Sequence, residues 1–201
     1  STLSGLKLAV DQVNKAGGVN GKQLVVVESD NKSEPAESGN SVTKLITQDK
    51  VVAVVGPATS GCVFAATPVV TSNKVPLIAP CATAPAITVD NGQVKEFIFR
   101  ACFIDPFQGR VMAEFADKTL GVKNVAILHD ASSDYSKGLA EVFEKTLNEK
   151  GGKVVAKEAF LSKDIDFKAA LTKIKAANRK QSISPVTMKK LPKSSNKPVK
   201  S

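Results

Sequence analysis

Residues 51–85 read VVAVVGPATSGCVFAATPVVTSNKVPLIAPCATAP, two short apolar runs at 51–55 and 76–79 separated by a helix-length segment from about Cys62 to Ser72. Each run stops at a loop of small and hydroxyl-bearing residues, 56–61 and 80–85. Strands joined by a crossover helix pair in parallel, with right-handed connections. Ligands of such sheets bind beyond the carboxyl ends of the strands, which is where both loops fall. The first loop leads into the helix, so unpaired N–H groups and the positive end of the helix dipole face an anion such as a carboxylate. The loops supply hydroxyls and backbone groups for binding and no obvious catalyst.

The same alternation extends outward in both directions. Leu3, Leu6, Leu8, Ala9, Val10 and Val13 recur at helical spacing before Gly17-Gly18 closes the segment. Residues 23–28 read as a strand after the Asn20-Gly21 turn, 35–48 as a helix, 97–101 as a strand after an irregular stretch, and 107–120 as a helix. Strands at 124–129 and 154–160 flank a helix over 135–150, and a last helix spans 166–177. The core is Val, Ile, Leu and Ala, with no Trp and a single Tyr. Together these features predict an α/β protein whose strands are buried by helices on both faces.

The net charge of +9 is local. Seven of the 28 cations and none of the 19 acids fall within 179–201, so the preceding 178 residues hold 21 cations against 19 acids. A basic tail without aromatics for base stacking argues against specific nucleic-acid binding. Cys62, Cys81 and Cys102 have no paired spacing, and His129 is the only histidine, a combination that points away from structural zinc. No cofactor is expected. The sequence contains no transmembrane run and no signal peptide, and its start at Ser1-Thr2 reads as a cut.

Five segments in series carry a family resemblance: GLKLAVDQVNKAGGVNGKQLVVVESD (5–30), VVGPATSG (54–61), PLIAPCATAP (76–85), FRACFIDPFQG (99–109) and HDASSDYSKGLA (129–140). In order and spacing, from about Leu3 to Asn178, the chain resembles the type I periplasmic binding proteins of amino-acid ABC transporters, the leucine/isoleucine/valine class. The resemblance implies parallel doubly wound sheets in two lobes, here incomplete. It implies an N-terminal lobe over 1–104 lacking its first strand, a partial second lobe over 105–178 and a basic, irregular tail over 179–201. It also implies an extracytoplasmic, non-enzymatic monomer that takes a free amino acid, branched-chain by this resemblance, into an inter-lobe cleft and delivers it to a membrane permease.

By the same resemblance, Thr59, Ser60 and Gly61 meet the ligand carboxylate. Cys81 and Thr83, with Ala82 beside them, hold the ammonium through a carbonyl and a hydroxyl. Asp105 borders the cleft and Tyr135 covers the ligand. Neutral donors suit a carboxylate with no counter-ion, since charge-assisted hydrogen bonds contribute about 1.5–3 kcal/mol each. Each residue also has a local reading. Thr59 and Ser60 suit a helix cap, Thr83 its own turn, Asp105-Pro106 a helix start, and Tyr135 simple packing. His129-Asp130 reads as half a dyad or as a satisfied structural histidine. An enzyme would need His129 paired with Ser60, Cys62 or Cys81. A ligand-sensing regulatory domain of the same fold is the alternative binding role.

The departures from the family pattern are specific. A disulfide known in some members is absent, with Ser33 and Thr59 in its neighbourhoods. After Asn178 the pattern gives way to RKQSISPVTMKKLPKSSNKPVKS, which has no usable period. Back-translated one frame over, this stretch can read EAIYIPGYYEEVAKIVKQAREK, a strand, loop and amphipathic helix like the family's continuation. A frameshift origin without selected function is therefore expected for 179–201. An acidic partner for the ammonium and a further aromatic lie beyond that break in the family, so this chain is expected to bind amino acids weakly or not at all. The exposed edge beside the missing strand is expected to promote aggregation.

Overall fold

The computed structural model describes residues 2–178 and 184–187. The chain divides into two compact units, Ser1–Ile104 and Asp105–Ser201.

The first unit begins with α1 (Thr2–Lys15), followed by α2 (Pro35–Thr47), β1 (Val54–Val55), α3 (Ser60–Asn73), β2 (Leu77–Ala79) and β5 (Ile98–Arg100). The three strands form a parallel sheet in the order β1-β2-β5, with Val54 opposite Leu77 and Leu77 opposite Ile98. Its core joins Val42, Val63, Val70, Leu77, Ile87 and Ile98. α1 ends where Gly17 and Gly18 take φ of +104° and +76°, and a Cβ at Gly18 would lie 2.0 Å from the Lys22 carbonyl oxygen.

Three expectations change here. Residues 23–28 run without a ladder, because among the described residues no strand lies beside them, and the backbone of Leu24 pairs with a side chain instead. Its N–H donates to Asn14 Oδ1 at 2.7 Å and its carbonyl accepts from Asn14 Nδ2 at 2.8 Å. Residues 51–55 yield only the two paired positions of β1, since among the described residues the sheet ends there. The stretch expected to be irregular after β2 contains a 3-10 turn at Pro85–Ile87 and an antiparallel hairpin, β3 (Val89–Asp90) with β4 (Gln93–Val94). Asn91 and Gly92 turn that hairpin with φ of 49° and 78°, the pair of positive values that a two-residue type I′ turn requires.

The second unit starts with α4 (Asp105–Glu114), which continues into a π-helical turn at Phe115–Thr119. It proceeds through β6 (Asn124–Asp130), α5 (Asp134–Glu149), β7 (Lys153–Phe160), α6 (Lys168–Asn178) and β8 (Ser184–Thr187). The sheet is parallel in the order β7-β6-β8. Phe143, Leu139 and Leu147 on one face of α5 meet Val125, Ile127 and Ala113 in the core. β8 falls within the stretch expected to be an irregular tail. Backbone pairing to the open edge of β6 needs no side-chain period, and an edge position tolerates the missing N–H of Pro185. The expectations for 179–183 and 188–201 lie outside the described residues.

Candidate functional site

In the first unit, the loops that follow β1 and β2 leave the same edge of one sheet, because the two strands are adjacent and parallel. They also touch. The hydroxyl of Ser60, at the start of α3, accepts the backbone N–H of Ala84 across 3.3 Å in a buried contact. Thr59 is the N-cap of α3, yet its side chain makes no capping bond, so capping does not occupy that hydroxyl. The helical ladder begins when Val63 N–H reaches the Thr59 carbonyl. The N–H groups of Ser60, Gly61 and Cys62 therefore precede the ladder at the positive end of the helix.

The expected residues fall into two groups by exposure. Thr59 and Cys81 are exposed and Gly61 half-buried, whereas Ser60 (3%), Ala82 and Thr83 (7%) are buried. Ser60 thus serves as a strut between the loops; a hydroxyl that accepts one bond still has a proton to donate. The Cys81 thiol lies 3.7 Å from Thr2 Oγ1.

Three residues to which the sequence assigned no role at the site hold the second loop and the turn after it in place. Arg100, at the end of β5, donates from Nη1 to the Ala84 carbonyl at 2.8 Å and from Nη2 to Thr88 Oγ1 at 2.9 Å. Lys95 donates to the Ala86 carbonyl at 2.7 Å, and Cys102 Sγ donates to the Ala82 carbonyl at 3.5 Å. A cation at the end of the neighbouring strand was the only signal available in the sequence.

In the second unit, Asp105 opens α4 and is buried, and a Cβ at Gly138 of α5 would lie 3.7 Å from its Oδ2. Tyr135 sits in the first turn of α5, just past the carboxyl end of β6, and its hydroxyl accepts from Gln108 Nε2 at 3.0 Å. The loop between β6 and α5 closes on itself. Asp130 Oδ1 accepts from Ser132 N–H at 2.9 Å, Ser136 Oγ accepts Asp130 N–H at 3.0 Å, and the N-cap Ser133 accepts Ser136 N–H. His129 Nδ1–H donates to the Glu158 carbonyl at 3.1 Å, a structural bond between β6 and β7. Among the described residues no group of three or more His, Cys, Asp or Glu is placed to hold a metal ion, and no helix is long and apolar enough to cross a membrane.

With that geometry in place, known proteins sharpen the assignment. The sequence matches the periplasmic binding protein family over residues 1–183. The chain belongs to that family. Among curated relatives, the Leu/Ile/Val-binding protein homolog 3 of Brucella melitensis is 36% identical over 173 residues, which cover 86% of this chain and 46% of the relative. The leucine-, isoleucine-, valine-, threonine- and alanine-binding protein of Pseudomonas aeruginosa is also 36% identical, over 87% of this chain and 45% of its own length. Among solved structures, the branched-chain amino acid transporter substrate-binding protein LivJ of Streptococcus pneumoniae, in complex with isoleucine, is 46% identical with a TM-score of 0.77 over 87% of this chain and 48% of that one. The leucine-binding protein LivK of Thermotoga maritima is 37% identical with a TM-score of 0.76, covering 84% and 47%. This periplasmic binding protein chain thus spans about half the length of the curated relatives it matches, and its parallel α/β architecture matches that of the two solved structures over their shared part.

Proposed function

We propose that this chain carries the head-group-binding elements of an extracytoplasmic receptor for a branched-chain amino acid, serving an ABC transporter permease without catalysis. The observation that carries the reading is the Ser60–Ala84 hydrogen bond, which ties the two polar loops together at one sheet edge. In this reading the Thr59 hydroxyl and the N–H groups of Ser60 and Gly61 receive the α-carboxylate. The Cys81 carbonyl and the Thr83 hydroxyl, with Ala82 beside them, receive the ammonium. Asp105 and Tyr135 are the second unit's ligand-facing residues. The names of the relatives and the isoleucine bound by the pneumococcal protein support the ligand class.

The test is an amide NMR titration of the 201-residue chain with L-isoleucine. Saturable shifts at Gly61 and Thr83 with a millimolar midpoint, about 4 kcal/mol of binding, are expected. Thr59→Val removes an exposed hydroxyl that makes no cap bond, and should weaken that binding about fivefold, the worth of one hydrogen bond, while leaving the unfolding midpoint in place. Shifts confined to residues outside both loops would overturn the assignment.

A further inference from the structure

In the second unit, the side chain of Tyr135 makes a contact that none of the roles above uses. Gln108, half-buried in the first turn of α4, donates its amide N–H to the phenol oxygen of Tyr135, 27 residues away in α5. The two helices are locked together one residue further on. A Cβ at Gly109 would come within 2.9 Å of Val142 and 3.1 Å of the Phe143 nitrogen, so only glycine permits this approach. The body of the Tyr135 ring packs against the cluster around Phe143 and Leu139. The ring is therefore held at its base by the core and at its tip by an amide borne on a helix packed closely against α5.

The direction of the bond matters chemically. A phenol has one proton and two acceptor positions. Because Gln108 fills an acceptor position, the proton stays available for donation outward, and both the aim and the donor capacity of the ring are set before a ligand arrives. We propose that Gln108 is a positioning residue for ligand binding, holding Tyr135 at the carboxyl end of β6 with its hydroxyl proton directed to an acceptor on the ligand. The inference rests on the reading of Tyr135 as a ligand contact.

Tyr135 is the only tyrosine and the chain has no tryptophan, so near-ultraviolet emission reports on this ring alone. In the ligand-free 201-residue chain, Gln108→Leu removes the tether and should raise acrylamide quenching of Tyr135 about twofold. Titrated with L-isoleucine, wild-type emission should change saturably, and Gln108→Leu should weaken the midpoint about fivefold, the loss of one ordering hydrogen bond. Gln108→Glu separates tethering from donor capacity. The carboxylate keeps the ring fixed but accepts the phenol proton, so quenching should stay near wild type while affinity falls and tyrosinate absorbance moves to higher pH. The two possible failures can be told apart. If wild-type Tyr135 emission ignores L-isoleucine throughout the millimolar range, the ligand-contact reading falls and takes the positioning role with it. If wild type responds and Gln108→Leu matches it in both quenching and midpoint, the positioning role alone is overturned.

Discussion

Residues 23–28 and 153–160 are both Val-rich runs that follow a helix and a glycine turn, yet only the second is a strand. Lys153–Phe160 lies beside β6 and pairs with it along its length. In the first run Val25 stands 84% exposed, and Val52, just before β1, stands 86% exposed. The same contrast holds for the helices. α5 buries Leu139, Phe143 and Leu147, whereas α1, with a comparable apolar periodicity, buries nothing. Amphipathic patterning thus states what a segment can bury. Whether it does so depends on a neighbour, which α5 and β7 have and which α1 and residues 23–28 lack among the described residues.

The largest expected effect puts that contrast on a stability scale. Phe143→Ala should cost the second unit about 3–5 kcal/mol, the transfer and cavity terms for a fully buried aromatic. Leu8→Ala in α1 should stay within about 0.5 kcal/mol, as for a surface site. Denaturant unfolding followed by Tyr135 emission reads the second unit, and protection of the buried Cys62 thiol from alkylation reads the first. A cost for Leu8→Ala approaching that of Phe143→Ala would mean that the apolar face of α1 is covered in solution, and the contrast would collapse.

A smaller effect sharpens the comparison because its sign should differ between the units. Gly109→Ala forces a methyl to within 2.9 Å of Val142, and overpacking of this kind costs about 1–3 kcal/mol. Gly5 lies inside α1 with nothing beyond its own stretch of helix within 4 Å of its would-be Cβ. There, Gly5→Ala should add about 0.5–1 kcal/mol through reduced backbone entropy. Thermal unfolding of both variants settles the matter, and a destabilising Gly5→Ala would show that α1 is packed against something.

These contrasts also mark what could be read from the sequence. α2, α3, α5 and β6 were legible because their neighbours are close in the chain, as when β1, α3 and β2 complete one another within residues 54–79. The strand expected at 23–28 was not, because no strand lies beside it among the described residues and Asn14 takes up the Leu24 backbone, neither of which a hydrophobic pattern records. The β3–β4 hairpin was legible in principle, since Asn91-Gly92 is a strong local turn signal. At the site, adjacency of the two loops followed from parallel crossover geometry alone. The hold of Arg100 on Ala84 and that of Gln108 on Tyr135 did not. Such pairs, 16 and 27 residues apart, are fixed by strand order and helix packing, which local spacing does not encode.

The smallest effect concerns charge and should be confined to the second unit. Lys118, and after it Lys150, hold the Glu114 carboxyl below its usual 4.5, and a hydrogen bond from Lys123 holds Asp117 below its usual 3.8. A carboxylate whose pKa is depressed by folding contributes stability above its unfolded value, and that contribution is lost as pH falls through the folded value. Lys137 has the opposite sign. A hydrogen bond from its ammonium to Asp134 raises its pKa above 10.5, so its contribution is complete below that value and fades as pH rises through the folded one. The Tyr135-detected midpoint should therefore decline slightly below about pH 4.5 and again in strong alkali. These groups lie at the surface or only part-way beneath it, so raising salt from about 0.1 to 1 M, which shortens the screening length from about 10 to 3 Å, should flatten both declines. Lys123→Met should shrink the acid decline alone, since it removes the largest cause of the Asp117 shift. An acid decline that survives both 1 M salt and Lys123→Met would show that the lysine contacts of Glu114 and Asp117 are not its source.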